Sequence, residues 1–208
     1  FNNFNISNHR YYTVNASANN PPQIIRIYNA TISPDPSLNL NEGPFPTGFI
    51  INFTASDVDG DLNITTAVIN FSQFGEQTRT NTSCQRIDVS TTLANFTCNV
   101  TMWWYDSNGT WNITAAIFDN SSNYGTNSTN TTFTLTLTTG FSVSPTNLTW
   151  NQFSLGSTNQ TAINDPVTLN NTGNRYITPG NIQINATNLT GETDATKQIH
   201  ANNFSVHW

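Results

Sequence analysis

Apolar and polar side chains alternate with period two along much of this chain. In residues 94–102, Phe96, Cys98, Val100 and Met102 share one parity, while Asn95, Thr97, Asn99 and Thr101 share the other. Residues 110–119 set Trp111, Ile113, Ala115 and Ile117 against Asn112 and Thr114. Residues 49–56 set Phe49, Ile51, Phe53 and Ala55 against Asn52 and Thr54. Successive strand side chains point to opposite faces, so each segment reads as a strand with one face in a core and one in solvent. Residues 131–139 repeat the pattern, with Phe133, Leu135 and Leu137 inward and threonines outward. Further candidates at 23–31, 63–71 and 84–90 make seven strands before residue 140, separated by turn residues. No apolar pattern of period 3.6 persists, and Asn, Thr, Gly and Pro recur too often for one. The expected fold class is all-β: immunoglobulin-like antiparallel β-sandwich domains preceded by an extended strand arm.

Three regions follow. Residues 1–20 form the arm, in which Phe4 and Ile6 alternate with Asn5, and Tyr12 and Val14 with Thr13 and Asn15. Residues 21–139 form the first sandwich, opened by Asn20-Pro21-Pro22 and closed by Thr139-Gly140. Residues 140–208 form a second, short or incomplete sandwich, with strands expected at Gln152–Leu155, Pro166–Asn171, Asn181–Thr187 and Asn203–Trp208.

Composition changes the picture. The 208 residues carry 12 acidic and 6 basic side chains, net −6, and only 9% are charged, where soluble domains average about 25%. Aromatics at 12% argue against disorder. One Lys and five Arg in an acidic chain form no phosphate-neutralising face, so no nucleic acid is expected as a partner. No apolar run approaches the roughly 18–20 residues of a membrane span. In place of charge there are 34 Asn, 34 Thr and 17 Ser.

The asparagines are not randomly placed. Asn-X-Ser/Thr triplets start at Asn5, Asn15, Asn29, Asn52, Asn63, Asn70, Asn81, Asn95, Asn99, Asn108, Asn112, Asn120, Asn127, Asn130, Asn147, Asn159, Asn170, Asn185, Asn188 and Asn203, twenty in all. Chance placement at this composition gives about 8, so the excess points to N-glycosylation acceptors. Those in the clearest strands fall on the outward parity, where a bulky sugar must sit. Glycosylation implies export, and the expected location is extracellular, at the cell surface. The chain begins at Phe1 rather than Met, which reads as processing or truncation. Cys84 and Cys98, the only cysteines, lie in strand-like segments, and an exported chain would join them as a disulfide. Closing a loop of about 15 residues contributes roughly 3 kcal/mol in the chain-entropy account.

Asn20-Pro21-Pro22 opens the domain, and Phe53-Thr54-Ala55-Ser56-Asp57-Val58-Asp59-Gly60-Asp61-Leu62 follows. Gly109-Thr110-Trp111-Asn112-Ile113-Thr114-Ala115 comes later, and Asp119-Asn120-Ser121-Ser122-Asn123 closes the run. These residues resemble the PKD and cadherin-like immunoglobulin-type domains of archaeal surface proteins. There an Asp-rich turn separates two strands, and a Gly-Thr-Trp/Tyr strand ends in an Asp-Ser turn. The resemblance implies a sandwich over about 100 residues but no particular activity, since sandwiches host unrelated roles.

Candidate chemistry is sparse. Asp57, Asp59 and Asp61, with Asn63 and Asp119, have the oxygen donors that Ca²⁺ takes. The competing reading is a turn in which Asp and Gly satisfy backbone geometry alone. Gly60 sits one place early for an EF-hand, and no closing Glu follows. His9, His200 and His207 show no zinc spacing, and no Gly-X-Ser-X-Gly elbow or phosphate loop occurs, so no enzyme is expected. Trp103, Trp104 and Tyr105 would serve as an interface, pack beneath glycans, cap the core or stack on sugar rings.

The arm decides between two functions. An isolated strand is unstable in water and must pair with its own chain or another copy. Pairing with a neighbour is donor-strand complementation, and a head-to-tail contact propagates into a filament unless it closes. That arrangement resembles archaeal thread and bundling-pilus filaments, whose subunits are glycosylated sandwiches linked by donated strands. The expectation is a structural subunit of an extracellular filament or coat, with copies of itself as partners. The alternative is an adhesion or carbohydrate-binding ectodomain fragment that recognises surface glycans.

Overall fold

The computed structural model describes residues 18–29, 37–63, 65–90, 92–127 and 131–206. The arm residues Phe4, Ile6, Tyr12 and Val14, and the acceptors Asn5, Asn15 and Asn130, lie outside them.

Among the described residues, ten strands build an all-β sandwich. In chain order they are β1 (Gln23–Asn29), β2 (Ser37–Leu38), β3 (Thr47–Ser56), β4 (Val68–Ser72), β5 (Arg79–Asn81), β6 (Gln85–Val89), β7 (Leu93–Met102), β8 (Gly109–Phe118), β9 (Tyr124–Thr126) and β10 (Thr131–Leu135). One sheet has the order β1-β3-β7-β6, the other β2-β10-β8-β4-β5, with β9 also on β8. All pairs are antiparallel except the short β2–β10 contact. The predicted inward parity holds: Ile51, Phe53, Phe96, Val100, Trp111, Ile117 and Phe133 are all buried. Thr54, expected outward, is buried as well, because its hydroxyl is held by Asn95 Oδ1 and the Tyr28 hydroxyl. Phe49 of β3 faces Phe133 of β10 at 6.3 Å across the two sheets, and Phe71 meets the same ring edge-on at 4.8 Å. Trp111, fully buried, satisfies its indole N–H on the Ser107 carbonyl at 3.0 Å. That bond matters, because an unpaired donor in the core would cost about 1–3 kcal/mol.

The disulfide is formed between Cys84, just before β6, and Cys98 in β7, with Cα atoms 4.4 Å apart. It staples neighbours within one sheet, whereas antibody-type bridges cross between sheets.

Several expected extents are corrected. The strand predicted at 131–139 stops at Leu135, because Thr136 donates its N–H to the Leu38 carbonyl and the chain leaves β8. Leu137, expected inward, is therefore 48% exposed. The strand predicted at 63–71 begins only at Val68. Asn63 instead closes a turn, accepting the Thr65 N–H on Oδ1 and the Thr66 N–H on its carbonyl. Gly125 in β9 is obligatory, since a Cβ there would stand 2.1 Å from the Pro22 carbonyl oxygen.

Beyond Gly140, regular structure is thin. The chain falls into two compact units, Phe1–Arg175 and Tyr176–Trp208. The first unit adds the hairpin-like pair β11 (Phe141–Ser144) and β12 (Thr168–Asn171) to the sandwich. Asn174 anchors it, accepting the Thr138 N–H at 2.6 Å and donating to the Thr136 carbonyl at 3.0 Å. The second unit holds β13 (Leu189–Thr190), β14 (Gln198–Ile199) and a 3₁₀ turn over Ala201–Asn203. Residues 152–155, 181–187 and 203–206, expected as strands, are not strands. Side chains compete for the backbone in the first unit: Asn164 takes the Thr149 N–H and donates to the Asn147 carbonyl. Near 203, the 3₁₀ bonds from Asn203 to His200 and from Phe204 to Ala201 replace any ladder.

One ion pair is buried in the sandwich. Asp106 is fully buried and receives the Arg79 Nε at 3.1 Å on each oxygen, a contact from Arg79 Nη2, and the Trp103 N–H at 2.8 Å. It ties edge strand β5 to the turn between β7 and β8. Arg79→Ala leaves an uncompensated buried carboxylate, so we expect a loss of about 3–5 kcal/mol in urea unfolding. A loss below about 1 kcal/mol would show the pair behaving like an exposed one.

Candidate functional site

The outer faces of both sheets are amide and hydroxyl surfaces. On the first, Asn52 of β3 stands opposite Thr97 of β7, the residue that completes the Asn95 triplet. On the second, Asn70 of β4 stands opposite Thr114 of β8, which completes the Asn112 triplet. Acceptor triplets of adjacent strands therefore interleave, because alternation and antiparallel register put both on the same face.

The acceptors differ in what their side chains already do. Asn99, Asn108, Asn112, Asn120, Asn147, Asn159, Asn170, Asn185 and Asn203 are exposed. Asn188 is exposed but accepts the Ala201 N–H at 2.8 Å. Asn81 donates to the Asn99 carbonyl at 2.7 Å and accepts the Ser83 N–H. Asn95 accepts from the hydroxyls of Thr54 and Tyr28. Asn127 brackets β8, accepting the Ala115 N–H at 2.8 Å and donating to the Ile113 carbonyl at 3.3 Å. Triplet spacing alone carried no signal of this division. Asn29 ends β1, and Asn63 belongs to the turn described above.

The acidic turn is rearranged relative to expectation. Asp57, Asp61 and Asp119 bring one carboxylate oxygen each to within 4.8 Å of one another. Asp59, expected among the donors, is instead engaged by Asn20, accepting its N–H at 2.6 Å and its Nδ2 at 3.2 Å. Two turns supply the cluster, joined by the Leu62–Asp119 bridge, the Asn63 N–H on the Phe118 carbonyl and the Asn120 N–H on the Asp61 carbonyl. Burial pushes the Asp57 carboxyl above its ordinary value; the Asp59 N–H works against this, and the charges of Asp61 and Asp59 add to it. Burial would also raise Asp119, but the Asn123 amide and the N–H groups of Asn123 and Ser121 outweigh it and hold the carboxyl below its usual range. The signs oppose. Acidification through the raised Asp57 value favours the folded state, while the stabilisation from Asp119 is lost as pH falls through its lowered value.

The aromatic turn lies just past β7. Trp103 and Tyr105 stack at 6.1 Å, and Trp104 meets Tyr105 edge-on at 4.9 Å. Arg79 covers the Tyr105 ring at 5.6 Å, and Trp104 lies so close to Gly43 that a Cβ there would meet the indole at 2.7 Å. Ring faces that a sugar would use are thus largely spent on one another. His200 is exposed, and His9 and His207 lie outside the described residues.

The third feature is apolar. Among the described residues, all the buried hydrophobic side chains lie between Leu40 and Leu135. Among the described residues after Gly140, only Gly173 is buried, and Phe141, Phe153, Leu155, Ile163, Ile182 and Ile184 are exposed.

The bracket at Asn127 makes a test. Glycopeptide mass spectrometry should find sugar at Asn108, Asn112 and Asn120 but none at Asn127, and Asn127→Ala should cost about 1–3 kcal/mol by orphaning a buried N–H. Asn112→Gln should stay within about 0.5 kcal/mol. Full occupancy at Asn127 would contradict the structural role. Comparison with protein-family models, curated proteins and solved structures finds no match to this chain.

Proposed function

We propose that this chain is a structural subunit of an extracellular, heavily N-glycosylated filament or surface coat. Its copies assemble head to tail by donating a β-strand. The observation that carries the reading is the contrast in burial along the chain: a complete core up to Leu135, and no buried hydrophobic side chain among the described residues after Gly140. Apolar surface on that scale marks an interaction site in a soluble protein. The occupant we assign is the alternating segment of residues 1–20 from a neighbouring copy, whose Phe4, Ile6, Tyr12 and Val14 would supply the missing apolar contacts. Main-chain hydrogen bonds give such a contact its affinity, and alternate side chains give it register.

The acceptor array supports the same reading. With 9% charged residues, the outer faces offer neutral amides and hydroxyls, and sugars there would supply hydration and shield the assembly from proteases. The resemblance to archaeal PKD-like surface domains and to thread and bundling-pilus subunits points the same way.

Deleting residues 1–17 tests this while sparing the Asn19 and Asn20 contacts to the acidic turn. We expect electron microscopy to show filaments from the full chain and only folded monomers from the truncated one. Assembled material should melt at a higher temperature than the monomer, because a partner that binds only the folded state stabilises it. Filaments from the truncated chain would refute strand donation, and a native mass equal to the bare polypeptide would refute the glycan coat.

A further inference from the structure

We propose that Asp57, Asp61 and Asp119 form a Ca²⁺ site at the edge of the sandwich where residues 18–20 enter it. The three contributing oxygens lie within 4.8 Å of one another. Ca²⁺ binds oxygen at about 2.3–2.6 Å, so ligands on opposite sides of one ion stand up to about 5 Å apart. Three carboxylate oxygens at this spacing are close enough to share a single ion of that bond length. Mg²⁺, at about 2.0–2.1 Å, spans only about 4.2 Å and keeps several waters.

The second observation is what these carboxylates lack. Asp57 is 2% exposed, and its Oδ2 is shut off from solvent with no hydrogen-bond donor. Asp61 Oδ1 is in the same condition. Their other oxygens are held: Asp57 Oδ1 by the Asp59 N–H at 2.8 Å, and Asp61 Oδ2 by Asn19 Nδ2 at 3.4 Å. Asp119 is fixed by the Ser121 and Asn123 N–H groups on Oδ1 and by Asn123 Nδ2 on Oδ2. These bonds orient the carboxylates and leave two buried oxygens in the cluster without a partner. No basic side chain neutralises them, for the one ion pair among the described residues is Arg79–Asp106. Buried charges are paired or coordinate metals.

The ion would cross-link two turns that otherwise repel. It would also stiffen the lead-in to β1, since Asn19 and Asn20 dock on Asp61 and Asp59. Binding here needs neither glycans nor a neighbouring copy, so it stands apart from the filament reading.

The test is Ca²⁺ titration of the full chain after chelator treatment, read by calorimetry and by melting temperature. We expect one ion per chain and a rise in melting temperature at Ca²⁺ up to about the millimolar constants of extracellular sites. Asp57→Asn keeps an oxygen for the Asp59 N–H, so it should fold yet bind Ca²⁺ more than about tenfold more weakly. Asp61→Asn, at a less buried position, should do the same, while Asp59→Asn should bind as the parent does. No heat and no melting shift at about 10 mM Ca²⁺ overturns the site. So does parental affinity in Asp57→Asn and Asp61→Asn, or equal binding of Mg²⁺.

Discussion

The constraint on which the structure rests is period-two alternation in a chain with almost no charge. Inward positions of β3, β4, β7, β8 and β10 hold Phe, Ile, Val and Trp, which close one core between two sheets. Fully burying each such side chain is worth about 1.5–3 kcal/mol, so the inward parity supplies the stability. The outward parity must then provide solubility by itself. Asn and Thr there are neutral, so neighbouring strands do not repel as like charges would. A slip of one residue would exchange the two faces and bury amides, which fixes the register.

Two groups of the few charges are used structurally. Asp106 fastens an edge strand through Arg79, and the acidic turn fastens the approach to β1 through Asn19 and Asn20. The first is a compensated pair. The second is an uncompensated cluster whose hydrogen bonds come from amides and backbone N–H groups, which orient carboxylates without cancelling their charge. That difference, rather than the number of acidic residues, makes one a structural element and the other a candidate ligand site.

Long strands were legible because ten residues give five repeats of the alternation; β3, β7 and β8 fall within two residues of their predicted bounds. Strands of two or three residues carry no periodicity, so β2, β5 and β9 left no trace in the sequence. Leu137 misled because its parity continues that of Leu135, whereas its exposure follows from where pairing with β8 ends. The acidic cluster was half legible. Asp57 and Asp61 share a parity within one turn, but Asp119 comes from a turn distant in sequence and joins them only through tertiary contacts, the Leu62–Asp119 bridge and the backbone bonds beside it. Asn127 shows the converse limit, since its triplet looks like every other until its bonds to β8 are seen.

The stretch after Gly140 separates pattern from fold. Its segments alternate as those before it do, yet β11 and β12 have every residue exposed. Alternation specifies which side chains share a face, but a strand is stable only when that face has something to pack against. In the sandwich the partner is the opposing sheet, within the same chain. In β11 and β12, Phe141, Val143 and Leu169 line up in register with no core beneath them. Among the described residues that pattern finds no burial, and it is this mismatch between alternation and packing that the proposed strand donation sets out to explain.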